Sequence, residues 1–129
     1  MKILLELHGA FNTASRLAPI CSALHGQNFG LIWDLAHSYR AGEDYRELWR
    51  ELSLYIKHIH IKDLKRGKNG DLELCTQGEG EIPVPETVRM LLDDGYTGYF
   101  SLEYEKAWHP SLPDSETEIE KYVKYMKSI

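Results

Sequence analysis

Leu31-Ile32-Trp33-Asp34 is a short apolar run that ends on a residue able to ligate a metal or move a proton, and the chain repeats this design three more times. The other runs are Ile3-Leu4-Leu5-Glu6, Ile56-Lys57-His58-Ile59-His60 and Tyr99-Phe100-Ser101-Leu102-Glu103. Each reads as a β-strand, and a helix-like segment separates each from the next. Parallel strands joined by helical crossovers bring the residues at their carboxyl ends to one rim of the sheet, where α/β enzymes place their chemistry. Glu6, Asp34, His60 and Glu103 stand at those ends, and together they look like the ligand set of one divalent cation.

The intervening segments carry helical periodicity. Leu17, Ile20, Cys21 and Leu24 form one stripe, with Asn12 or Thr13 as its cap, Pro19 marking a break or late start, and Gly26 its end. A polar loop is expected from Ser38 to Glu43, then a helix from about Asp44 to Leu54 with Tyr45, Leu48, Trp49 and Leu52 on one face. Residues 62–82 are irregular and glycine-rich, with room for a short hairpin around Leu72 and Leu74. Pro85, Val88, Leu91, Leu92 and Gly95 outline another helix. Ser115 and Glu118 make a capping-box pattern ahead of Ile119, Tyr122, Val123 and Met126.

The resulting order is β-α-β-α-β-loop-α-β-loop-α, an α/β protein. Two architectures fit: a small open sheet with helices on both faces, or half of a TIM barrel, which in full takes about 250 residues. Residues 1–129 read as a single domain. No glycine-rich phosphate fingerprint follows the first strand.

Composition excludes some functions. The chain is 43% hydrophobic and 27% charged with a net charge of −5, so no global field draws it to nucleic acid or an anionic membrane. No apolar run approaches the roughly 20 residues of a membrane span. Lys62, Lys65, Arg66 and Lys68 form a local basic cluster, read as a solvated loop. Cys21 and Cys75 lack close spacing, and no signal peptide is evident, so reduced thiols and a cytoplasmic location are expected.

Side chains alternate along a strand, so Glu6 shares a face with Leu4, Asp34 with Ile32, His60 with His58 and Glu103 with Ser101. Three carboxylates and an imidazole make an oxygen-rich set that favours Mn²⁺, Mg²⁺ or Co²⁺, with Zn²⁺ possible. A lone carboxylate at a strand end is more often a helix cap or an ion-pair partner; the joint pattern shifts the odds. His37 lies three residues past Asp34, where it would orient a ligand or bind a hydroxyl. Arg66, six residues past His60, is placed to hold a substrate oxygen or phosphate. His8, Asp63, Glu105 and Trp108 sit near the same rim and are further candidates for substrate contact.

Glu6 in LELHG, Asp34 and His37 in WDLAH, His60 in HIHIKD, the GEGEIP segment, and Glu103 in GYTGYFSLEYEKAWHP resemble the sugar phosphate isomerase/epimerase superfamily. This is the xylose isomerase-like TIM barrel group that also includes AP endonuclease family 2. The resemblance runs over nearly the whole chain. It implies a divalent metal held by Glu6, Asp34, His60 and Glu103 at the ends of barrel strands five to eight. It also implies that Glu6 and Glu103 are the acid/base pair moving a proton beside a carbonyl through a cis-enediolate, which the metal stabilises. His37 and Arg66 would bind substrate oxygens, and His8 is a further candidate.

By the same resemblance the chain corresponds to the C-terminal half of the barrel. Left alone, such a half exposes two strand edges and an apolar face. The expected partners are therefore a sugar or sugar phosphate and either a second copy, closing a barrel as a homodimer, or a separate chain supplying strands one to four. Two other functions compete: a non-catalytic assembly module of the same fold, and a DNA-repair endonuclease, which the acidic balance disfavours.

Overall fold

The computed structural model describes residues 1–26 and 28–129. Its contacts divide the chain into two compact units, residues 1–60 with 98–101, and residues 61–97 with 102–129.

The first unit is built on a four-stranded sheet with the order β1-β2-β3-β6. Its strands are β1 (Ile3–Glu6), β2 (Phe29–Asp34), β3 (Ile56–Ile61) and β6 (Phe100–Leu102), the last two each running one residue into the second unit. β1 pairs with β2 and β2 with β3 in parallel. On β6 the bonds advance in the same sense, Ile59 N–H to the Tyr99 carbonyl and Glu103 N–H to that of Ile61, so all four strands are parallel. An α/β fold with four parallel strands in one sheet is what part of a TIM barrel contains.

One irregularity sets the faces. Leu31 pairs with Ile56, but the next residue, Ile32, pairs with His58, so Lys57 is an extra residue in β3. Ile56 therefore joins Leu31, Trp33 and Ile59 on the buried face, while His58 and His60 share the other face with Ile32 and Asp34. On the buried face Trp33 stacks on Trp49, with ring centroids 6.4 Å apart. Trp49 comes from α3 (Tyr45–Leu52), which also buries Leu48 and Leu52. Leu17 and Cys21 of α1 (Ala14–Ala23) are buried as well.

Local chemistry corrects three sequence expectations here. The first half of the segment expected as a loop from Ser38 to Glu43 belongs to α2 (Leu35–Arg40), because the Asp34 carboxylate accepts the His37 N–H and starts the helix at once. Ser38 is buried in it, accepting from Trp33 Nε1 at 2.8 Å. Pro19 lies inside α1 rather than breaking it. The helix bond that its missing N–H forgoes, to the Ser15 carbonyl, falls at an exposed residue, where the loss costs least. Thr13 occupies the N-cap position, but Glu43 Oε2 supplies the acceptor for the first N–H, that of Ala14, at 3.0 Å.

In the second unit, β4 (Asp63–Arg66) and β5 (Leu72–Cys75) form an antiparallel hairpin within the glycine-rich stretch. It is followed by α4 (Val84–Asp93), with Pro85 in its first turn and Gly95 beyond its end at φ +83°. The last helix is α5 (Ser115–Met126). The capping box does not form. Asp114 is the N-cap residue, and Glu118 instead turns inward, buried, to accept from Thr76 Oγ1 (3.1 Å) and the Gln77 N–H (3.0 Å). Among the described residues no helix is long and apolar enough to cross a membrane.

Asp63 organises the turn after β5. Its Oδ1 accepts the N–H of Leu64 (2.9 Å) and Ile82 (3.3 Å), and its Oδ2 those of Gly78 (3.0 Å) and Gly80 (2.9 Å). A Cβ on Gly80 would stand 2.1 Å from Asp63 Oδ1, which accounts for the second glycine of GEGEIP. The residue expected near the substrate is thus a loop anchor. Asp63→Asn cannot serve all four donors and should cost about 2–4 kcal/mol in urea unfolding, with proteolysis accelerated within residues 76–82.

Cys21 and Cys75 are free and buried. Burial, then the nearby Asp63 charge, pushes the Cys75 thiol up to about 12, and burial raises Cys21 in the same direction. A thiol raised that far is overwhelmingly protonated at neutral pH. The native chain should therefore react with a disulfide reagent only as fast as it unfolds, and both thiols should titrate promptly in denaturant.

Candidate metal centre

Three of the four expected ligands converge within the first unit. One ligand atom from each of Glu6, Asp34 and His60 lies within 4.8 Å of the others. They are placed there by the ladder: Asp34 and His60 are directly paired, while Glu6 pairs with Ile32 and its longer side chain reaches up to the same level. His60 Nδ1 stands 2.9 Å from Glu6 Oε1.

The three differ in exposure, and so in role. Asp34 is fully buried, whereas the Glu6 and His60 side chains are 31% and 22% exposed. Asp34 is also fixed by the His37 N–H at 2.9 Å, so it is a rigid acceptor on the sheet. Two carboxylates and an imidazole brought this close form a hard, oxygen-rich donor set that fits a divalent cation.

Glu103 belongs to the second unit. Its backbone N–H donates to the Ile61 carbonyl of the same unit at 2.9 Å. Its carboxylate lies 3.3 Å from Lys62 Nζ.

The expected substrate-binding residues are placed unevenly. His37 docks on Asp34, with Nε2 3.7 Å from Oδ2, and the His8 ring meets it edge-on at 4.2 Å, so two histidines flank the cluster. Arg66 lies on the β4–β5 hairpin, exposed, with Nε 3.3 Å from Glu81 Oε2. Glu105 is taken up by Lys62 at 2.8 Å, and Trp108 is 78% exposed in the loop that follows.

Two residues near the rim were not singled out from the sequence. Lys62, grouped there with the solvated basic cluster, is only 4% exposed. The signal was present, since His58, His60 and Lys62 are spaced by two and strand alternation puts them on one side. His58 hydrogen-bonds Ser101 Oγ at 2.8 Å and meets His60 edge-on, with ring centroids 5.3 Å apart. Burial, reinforced by His60, lowers its pKa.

Four parallel strands with this cluster at their carboxyl rim define an α/β fold of partial-barrel type that carries a candidate metal site. The profile of the xylose isomerase-like TIM barrel family matches residues 1–129, and the chain belongs to that family. The C-glycoside deglycosidase alpha subunit of Microbacterium trichothecenolyticum is 32% identical over 106 residues, which is 70% of this chain and 27% of that protein. Among solved structures, the probable 3-DHS dehydratase of Bacillus anthracis superposes with a TM-score of 0.69 at 20% identity, over 81% of this chain and 43% of that one. A D-psicose 3-epimerase superposes with a TM-score of 0.62 at 20% identity, over 81% of this chain and 35% of that one. The chain thus spans between about a quarter and under a half of these relatives' lengths.

Substitution at Asp34 separates ligand from cap. Excess Mn²⁺, at about 100 times its dissociation constant, should stabilise the chain by about 2.7 kcal/mol in thermal melts. Asp34→Asn should lose most of that gain yet keep the metal-free melting temperature near the wild-type value, because Asn caps as well as Asp. Asp34→Ala should in addition lose about 1 kcal/mol of metal-free stability.

Proposed function

We propose that the chain carries the metal-binding and proton-transferring side of a divalent-metal-dependent sugar or sugar-phosphate isomerase or epimerase, acting within a closed barrel. The observation that carries this reading is the convergence of Glu6, Asp34 and His60 at the ends of three adjacent parallel strands. Glu103, by its place at the end of β6, is the fourth ligand. Mn²⁺, Mg²⁺ and Co²⁺ suit this set best, with Zn²⁺ admissible.

The residues divide the work by their surroundings. A cation held by the four ligands supplies a Lewis acid for the substrate's carbonyl oxygen. Glu6, half-exposed at the end of an edge strand, has the freedom to take the proton from the carbon beside that carbonyl, and Glu103 is its counterpart for returning it. Return to the same carbon epimerises; return to the neighbouring carbon isomerises. Asp34, buried and pinned by its cap, holds its place without exchanging protons. His37 and His8 present their rings to substrate hydroxyls, and Arg66 reaches a substrate oxygen or phosphate on releasing Glu81.

The sheet's edges, β1 and β6, bear on the assembly. Ile3 is 60% exposed and Tyr99 79% exposed, so both edges offer apolar side chains for further pairing. A homodimer closing the barrel is the first arrangement to test, and a separate chain supplying the other strands is the second. Such a protein acts on soluble metabolites in the cytoplasm, without nucleic acid or membrane as a partner.

The test combines light scattering with solvent-exchange NMR on the Mn²⁺-loaded chain. A panel of ketoses and their phosphates in ²H₂O should yield deuterium beside the carbonyl of one member. Glu6→Gln and Glu103→Gln should each slow exchange by about 10²–10⁴-fold. Mn²⁺ binding with no exchange for any sugar would favour the non-catalytic module, and salt-dependent DNA binding would revive the endonuclease.

A further inference from the structure

Lys62 is a buried ammonium between two carboxylates of the second unit. Its Nζ stands 2.8 Å from Glu105 Oε1 and 3.3 Å from Glu103 Oε1. Glu105 is also approached by His109, whose Nε2 lies 3.4 Å from Oε2. Glu103 and Glu105 are two residues apart just past β6, and both carboxylates meet the same ammonium.

We propose that Lys62 is a positioning residue that holds Glu103 as a metal ligand by standing between it and Glu105. This rests on the reading of Glu103 as the fourth ligand. A buried charge is retained at a cost unless it is paired, and here one lysine serves two carboxylates that would otherwise face each other across the same gap. Lys62 pairs with Glu103 through Oε1 at 3.3 Å, which holds that carboxylate toward the ammonium. Without the ammonium the two like charges push apart, and Glu103 shifts from its place.

This role differs in sign from the simpler alternatives. A lysine that merely repels a nearby dication would, on removal, let the metal bind more tightly. A lysine that only fills space would, on removal, lower the melting temperature and leave metal affinity alone. Positioning predicts weaker binding, and it predicts that relieving the repulsion from the other side restores it.

The experiment is Mn²⁺ titration of the full chain, read by the electron paramagnetic resonance signal of free Mn²⁺, with circular dichroism to confirm folding. Lys62→Met should weaken binding roughly tenfold or more, the scale at which ligand-orienting partners act. Adding Glu105→Gln to Lys62→Met should bring affinity back to within about threefold of wild type. Unchanged or tighter binding in Lys62→Met overturns the proposal, as does a double variant no better than the single one. Should Lys62→Met fail to fold, Lys62→Arg decides: the same charge at altered reach weakens binding under positioning and leaves it unchanged if charge alone matters. Glu103→Gln is the separate control. If it binds Mn²⁺ as wild type does, the ligand reading falls and this inference with it; if it binds poorly while Lys62→Met binds normally, only the positioning role falls.

Discussion

A parallel strand alternates its side chains with period two, so sliding β3 by one residue past β2 would send His60 into the core and Ile59 out beside Asp34. The cluster therefore depends on the pairing of Asp34 with His60 and on what holds that register. Two features hold it. Trp33 and Ile59 are paired on the opposite face and both fully buried, so a slip would expose them. The extra residue at Lys57 lets Ile56 stay buried beside Leu31 while the next ladder position goes to His58. Without that bulge, Ile56 would share the histidines' face. The apolar anchors and the polar ligands of one short strand are satisfied together because the ladder is irregular at one point.

At Asp34 the structural role, a helix cap, is compatible with the ligand role proposed for it. A carboxylate at a strand end is commonly a helix cap, and Asp34 is one, accepting the N–H of His37. The cap is also what suits it to ligation. It fixes the side chain's torsion, brings His37 against the carboxylate, and starts α2 without a loop. A fully buried carboxylate needs such partners to remain charged. Glu6 lacks an equivalent helix start and is correspondingly more exposed, which fits a group that must move a proton rather than stay fixed.

The strands were legible because hydrophobic runs with terminal polar residues survive any reasonable packing, and the four candidate ligands, Glu6, Asp34, His60 and Glu103, came from counting to the strand ends. What escaped the sequence depends on contacts distant in the chain. Ser38 to Glu43 looks polar enough for a loop, yet Ser38 is consumed by the Trp33 indole and Glu43 by the start of α1. Glu118 has the spacing of a capping box, but Thr76 and Gln77 compete for it and win, since a carboxylate buried there must serve their donors. Lys62 fell into a basic cluster because charge was counted along the chain. Its partners, Glu103 and Glu105, are some forty residues away, and local pattern does not see them.

The face that carries the candidate ligands is incompletely covered at its centre. Leu4, Ile32 and His58, the residues beneath Glu6, Asp34 and His60, are each only partly buried. Their counterparts Leu31, Trp33 and Ile59 on the other face are fully so. Edge strands usually defend themselves with charge, proline or a bulge, yet here Ile3 and Tyr99 stand exposed at β1 and β6. In a closed barrel the same event would pair both edges, cover Leu4 and Ile32, and lower the dielectric around the carboxylates and imidazole above them. Lower dielectric strengthens each ligand's hold on a dication and raises the cost of leaving the site empty. Barrel closure and metal binding should therefore favour one another, with the strand edges and the ligand cluster acting as two ends of one equilibrium.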